Sequence, residues 1–125
     1  MSKYNKLDGS GSKINDLNCP VTLAIDVIGG KWKVIILYYL RDKTLRFGEL
    51  KKCIPKITQK MLTQQLRELE ADYLVTRKVY AEVPPRVEYK STSMADELRP
   101  IMDMLCAWGE RHKELKLTKP LIATS

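Results

Sequence analysis

The sequence predicts a mainly α fold carrying one small β-hairpin, and three neighbouring patterns support it. In the run Thr58-Gln59-Lys60-Met61-Leu62-Thr63-Gln64-Gln65-Leu66-Arg67-Glu68-Leu69, the apolar residues Leu62, Leu66 and Leu69 fall at i, i+4 and i+7, which makes one buried stripe on an α-helix. Just before it, residues 48–54 allow a two-turn helix that Pro55 must stop, because proline cannot continue the hydrogen-bond ladder. Just after it, Val75, Arg77, Val79 and Ala81 alternate with Thr76, Lys78 and Tyr80. Beyond Pro84-Pro85, Val87 and Tyr89 alternate with Arg86, Glu88 and Lys90, the period of an antiparallel pair. A short helix, a tight turn, a longer helix and a ribbon together make a winged helix-turn-helix.

The remaining elements follow in order. Residues 1–18, with Asp8-Gly9-Ser10-Gly11-Ser12 at their centre, are read as a flexible N-terminal arm; the folded domain is expected over residues 19–117 and a C-terminal tail over 118–125. Cys19-Pro20 opens a first helix with Val21, Ala24, Ile25 and Ile28 at helical spacing, and Gly29-Gly30 ends it. Residues 31–42 would form a buried strand by β-propensity alone. Their length, and the need for a partner to the next helix, favour a helix instead. Leu45-Arg46-Phe47 reads as a very short strand, and Lys56-Ile57 as the turn before Thr58, which caps the helix over 58–72. The ribbon then occupies 74–91. Ser93, with Asp96 three residues on, resembles a capping box opening one last helix. That helix carries the apolar stripe Leu98, Ile101, Met102, Leu105, Cys106 and Trp108, with Pro100 as a candidate kink.

A chain of 125 residues has room for a single core. Its longest wholly apolar run, residues 34–40, is far short of the roughly 20 needed to span a bilayer. Lys3 and Lys6 lead into polar and glycine residues, so no secretory signal is read and a cytoplasmic protein is expected. The net charge of +7 is concentrated: residues 31–90 hold fourteen Lys and Arg against seven Asp and Glu, while the segments on either side balance. Four lysines and no acid lie between positions 51 and 60. This concentration predicts a polyanion-binding surface. Nucleic acid fits better than membrane, because no amphipathic helix here joins the charge to an exposed aromatic face.

The polar side of the 58–72 helix offers Gln59, Lys60, Thr63, Gln64 and Arg67. These side chains can hydrogen-bond base edges and neutralise phosphates; Gln59, Gln64 and Arg67 are assigned to bases, Lys60 and Thr63 to phosphates. Arg86, beside the stiff Pro84-Pro85 tip, is placed where a wing approaches the minor groove. Arg77, Lys78 and Lys90 are weaker phosphate candidates. An enzyme is not expected: the chain has one histidine, no Gly-rich phosphate loop, no metalloprotease signature and no nucleophile elbow. A winged-helix adaptor that binds protein and not DNA is the alternative, and salt sensitivity separates the two.

Cys19, Cys53 and Cys106 lack paired metal-ligand spacing, so neither a metal nor another cofactor is expected. A reducing compartment also argues against a structural disulfide. Cys106 falls on the apolar stripe and is expected to be buried and inert, and Cys53 to pack. Cys19 has two readings, a small packing residue or a thiol made reactive by the helix N-terminus.

Several motifs in one order carry a resemblance. Cys19-Pro20, Ile28-Gly29-Gly30-Lys31-Trp32, Arg46-Phe47-Gly48-Glu49-Leu50, Gln59-Lys60-Met61-Leu62-Thr63, Leu66-Arg67-Glu68-Leu69 and Val83-Pro84-Pro85-Arg86-Val87-Glu88-Tyr89 resemble the HxlR-type, MarR-like bacterial transcription regulators over residues 19–109. Thr92-Ser93-Met94-Ala95-Asp96 departs from that pattern, which more often has a glycine where the last helix begins. The resemblance implies a homodimer, built from the first and last helices, that binds double-stranded operator DNA. Some members sense oxidants or electrophiles through a cysteine at the place of Cys19. An oxidant or small-molecule signal is therefore expected, with Cys53 the best disulfide partner for Cys19, within the chain or across the dimer.

Overall fold

Pro20 occupies the first turn of α1 (Pro20–Ile28), where its missing N–H removes no hydrogen bond because the first helical N–H groups have no intrahelical partner. The structure, a computed structural model, describes residues 19–118; the arm assigned to 1–18 and the tail beyond Thr118 lie outside that range. Gly29 closes α1 by donating its N–H to the Ile25 carbonyl at 2.6 Å, and a Cβ at this position would fall 2.2 Å from the same oxygen. Gly30 follows at φ 90°, a left-handed conformation that glycine adopts without steric penalty.

The 31–42 segment is helical as expected, but α2 is shorter than the apolar run suggested, Lys33–Tyr39. Asp42 turns the chain out of it at φ 56°. Strand β1 (Thr44–Arg46) ends one residue earlier than read from the sequence, and Phe47 opens α3 (Phe47–Cys53) instead of closing the strand. The reason is local: the Glu49 carboxylate accepts the Arg46 N–H at 2.8 Å and so starts the helix one residue ahead of Gly48. Thr58 caps α4 (Gln59–Ala71) as expected, its Oγ1 accepting the Met61 N–H at 3.0 Å.

At the far end of α4, Leu74 donates to the Leu69 carbonyl at 2.9 Å and Tyr73 to the Glu70 carbonyl at 3.1 Å. This Schellman pattern demands a left-handed residue, and here it is Tyr73 at φ 62°. The chain then enters β2 (Val75–Tyr80) and returns as β3 (Arg86–Ser91). The ribbon is not isolated. β1 pairs with the outer side of β3, giving an antiparallel sheet ordered β1-β3-β2, with Arg46 opposite Glu88 and Arg77 opposite Tyr89.

The single last helix read from the sequence is divided into α5 (Ser93–Asp96) and α6 (Arg99–Thr118). The cap of α5 is Thr92, not Ser93; its hydroxyl accepts the Ala95 N–H at 3.2 Å and donates to the Tyr73 carbonyl at 2.7 Å. Asp96 accepts from Ser91, not from a cap N–H. Pro100 therefore lies in the first turn of a new helix, where it is tolerated, and does not kink an old one.

The core joins Ile36, Leu37 and Leu40 to Leu50, Ile54 and Ile57, to the α4 stripe Leu62, Leu66 and Leu69, and to Leu74, Val75, Ala95 and Met102. Two arginine–aspartate pairs strap α6 to the turn after α2: Arg41–Asp103 and Arg99–Asp42, each at 2.6 Å. The hydrogen bonds from these guanidinium groups hold both carboxyls below the usual carboxylate range. Only Met102 of α6 is buried. The expectation that Cys106 is buried fails, because the helix runs out beyond the body and leaves that face exposed.

Thr92 ties the end of the ribbon, the end of α4 and the start of α5 together. Thr92→Ala should lower unfolding free energy by about 1–2 kcal/mol, measured by urea titration at fixed protein concentration.

Candidate nucleic-acid interface

Because Leu62, Leu66 and Leu69 are buried, helical geometry turns the opposite side of α4 outward. The side chains there line one open groove of about 740 Å³: Gln59, Lys60, Thr63, Gln64, Arg67 and Glu68. The five α4 residues singled out from the sequence thus share one surface, and Glu68 joins them.

The groove residues differ in how committed they are. Gln59 and Lys60 are exposed in the first turn. Thr63 donates its hydroxyl back to the Gln59 carbonyl at 2.9 Å, so in this geometry it has lone pairs but no proton for a ligand. Gln64 donates to Glu68 Oε2 at 3.3 Å. Arg67 is exposed, forms no ion pair among the described residues, and helps line a smaller cleft of about 220 Å³ with Glu70, Arg77 and Tyr89, between α4 and the ribbon. Burial raises the Tyr89 phenol above its ordinary range, so it stays a neutral hydroxyl in this cleft.

The wing is more constrained than the sequence suggested. Arg86 stacks its guanidinium over Tyr80, 3.8 Å from the ring centroid, with Nε 3.5 Å from Glu82 and 3.6 Å from Glu88. It sits at the base of the tip within the ribbon's own contacts, and reaching a phosphate would mean leaving them. Arg77 pairs with Glu70 at 3.5 Å, which clamps β2 to α4. Lys78 lies over Tyr80 at 4.8 Å, while Lys90 is exposed. On the other flank, Lys52 and Lys56 are exposed, and Lys51 donates to the Pro55 carbonyl at 3.2 Å.

Sequence reasoning missed Lys33 and Glu68. Lys33 of α2 is only 4 % exposed, and its Nζ lies 2.6 Å from Glu68 Oε1. Glu68 could have been found from its i+4 relation to Gln64. A lysine inside an apolar run gives no such signal. The pair is asymmetric: the cation is buried, while the carboxylate side chain keeps 41 % exposure. Glu68→Ala should therefore destabilise the protein by about 3 kcal/mol, since it strips this carboxylate from a buried charge. Lys33→Met should cost under about 1 kcal/mol; thermal and urea melts of the two variants check the order.

The three cysteines are all thiols. Cys19 is exposed at the start of α1, Cys53 is half-buried at the end of α3, and Cys106 is exposed on α6. The outer faces of α1 and α6 are apolar and uncovered in the single chain; Met104 is 71 % and Trp108 57 % exposed, and Val21 and Ile25 are similar. Among the described residues no group of His, Cys, Asp and Glu is arranged to hold a metal ion, and no helix is long and apolar enough to cross a membrane.

Comparison with known proteins gives consistent results. Residues 27–117 match the HxlR-like helix-turn-helix family. An uncharacterised HTH-type transcriptional regulator of Methanothermobacter thermautotrophicus is 48 % identical over 109 residues, covering 87 % of this chain and 83 % of that one. Among solved structures, the redox regulator HypR in its reduced form is 48 % identical, with a TM-score of 0.74 over 79 % of this chain and 98 % of HypR. HypR in its oxidised form is 53 % identical, with a TM-score of 0.70 over 74 % of this chain and 96 % of HypR.

Proposed function

We propose that this chain, which belongs to the HxlR-like helix-turn-helix family of transcriptional regulators, works as a homodimer on two-fold operator DNA, with α4 in the major groove and the 74–91 hairpin as the wing. One observation carries the reading: Gln59, Lys60, Thr63, Gln64 and Arg67 line a single outward groove on a helix whose opposite face is buried. A B-DNA major groove about 12 Å wide admits such a helix. Gln59, Gln64 and Arg67 are the base readers, Lys60 and the lysines at 51, 52 and 56 neutralise phosphates, and Thr63 accepts or donates once its helix bond is exchanged. Arg86 contacts the adjacent backbone by trading Glu82 and Glu88 for phosphate.

The apolar faces of α1 and α6 support dimerisation, since exposed Ile101, Met104, Leu105 and Trp108 recur at helical spacing and make one face that can bury against a second copy. Two reading helices then lie one helical turn apart, about 34 Å. Sequences selected from random DNA should contain a two-fold repeat with that spacing. Affinity for them should fall steeply between 50 and 200 mM salt, and Arg67→Ala should cost about 1–3 kcal/mol of binding. A salt-independent interaction, or none with any duplex, would point to a protein-binding adaptor.

Cys19 and Cys53 are proposed as the redox control of this activity, a reading supported by the likeness to HypR in both its reduced and oxidised forms. Oxidation removes two electrons and two protons from the two thiols and joins their sulfurs; diamide takes both up and becomes the hydrazine. Because Cys19 begins α1, a bond or adduct there shifts the helix proposed to sit in the dimer interface, and with it the separation of the reading helices. Diamide should produce a slower band on non-reducing gels and weaken or reshape the operator complex. Cys19→Ser should lose both responses; identical responses in variant and parent would remove Cys19 from the switch.

A further inference from the structure

The groove on α4 contains one acid, Glu68, among residues proposed to meet DNA. A carboxylate on such a surface repels phosphates, so its presence there asks for a compensating role. Both of its oxygens are engaged: Oε1 lies 2.6 Å from the ammonium of Lys33, and Oε2 accepts the Gln64 amide at 3.3 Å. Lys33 comes from α2 and is almost wholly buried, so it holds the carboxylate against the body of the protein and offsets its charge.

This arrangement constrains the neighbouring glutamine. A carboxylate only accepts hydrogen bonds, so Gln64 must turn its NH₂ toward Glu68 and its carbonyl oxygen away. One N–H and the carbonyl oxygen are left for a ligand. We infer that Glu68, anchored by Lys33, is a positioning residue that sets the amide orientation of Gln64 so that it reads adenine at one step of the operator. The inference rests on the operator-binding reading of α4. Adenine presents an N7 acceptor and an N6–H donor in the major groove, which match the remaining N–H and carbonyl of Gln64. Guanine presents two acceptors, and its O6 would face the outward carbonyl. Flipping the amide to suit guanine would break the Glu68 bond and set carbonyl against carboxylate. Cytosine could satisfy the carbonyl but would leave the N–H unmatched.

The test uses the full chain and the duplex obtained by selection, with single-step variants carrying each of the other three base pairs. The step whose preference disappears in Gln64→Ala is the one Gln64 reads. There the parent protein should favour adenine by about tenfold or more. Glu68→Gln should bring that preference to within about threefold, leaving the other steps unchanged, because an amide at position 68 both donates and accepts and lets Gln64 turn either way. The double variant Lys33→Met, Glu68→Gln removes the buried charge along with its carboxylate; it should show the same flattening with a parent-like melting curve, which separates positioning from folding. Adenine preference retained in both variants, equal loss at every step, or a Gln64 step that favours another base would overturn the inference and leave operator binding standing. Failure of the parent protein to bind any duplex would remove both.

Discussion

Burial of Leu62, Leu66 and Leu69 against α2 and α3 is the constraint on which the rest of this structure depends. An α-helix advances about 100° per residue, so three leucines on one face leave its rotation no freedom. Everything that α4 can offer to a partner follows from that choice. The Thr58 cap settles where the helix begins, and the Schellman turn at Tyr73 settles where it ends. Lys33 and Glu68 add a polar fastening beside the apolar one, on the flank of the helix where the core gives way to the groove.

The distribution of charge follows from which cations have already found partners. Several arginines are matched: Arg77 with Glu70 and Arg86 with Glu82 and Glu88 on the ribbon, Arg99 of α6 with Asp42, and Arg41 after α2 with Asp103. These pairs all keep part of their side chains in solvent, so each adds little stability by itself. Their larger effect is to cancel local potential and fix the sheet and α6 against the body. Lys52, Lys56, Lys60 and Arg67, along the turn and the outer face of α4, are among the cations that form no ion pair among the described residues. Their position on that face supports the proposed operator-binding reading.

The two ends of the fold are built to a different rule. α1 contributes no buried residue and α6 only Met102, yet both carry large apolar side chains. Val27 and Ile28 of α1 and Met102 of α6 reach the core, while most other apolar side chains of the two helices do not. Their apolar faces suit a second copy of the chain, and Cys19 stands at the boundary of one of them. Chemistry at that thiol thus has a short mechanical path to the proposed assembly, and through it to the spacing of the reading helices.

Most of the architecture was legible because it rests on local rules. The i, i+4, i+7 leucines, Pro55, Thr58 and the alternation around Pro84-Pro85 each act within a few residues, so the sequence alone determined the helix-turn-helix, the ribbon and the outward set Gln59, Lys60, Thr63, Gln64 and Arg67. Tertiary structure decided what depends on distant partners. Thr92, bonded across to Tyr73, took the cap from Ser93. The break before Arg99 turned one helix into two and left Cys106 outside. Lys33 and Glu68 lie 35 positions apart in the sequence and meet only because α2 and α4 pack together. Periodicity records which face of an element turns inward; it holds no information about which charged group from another element will be waiting at its edge.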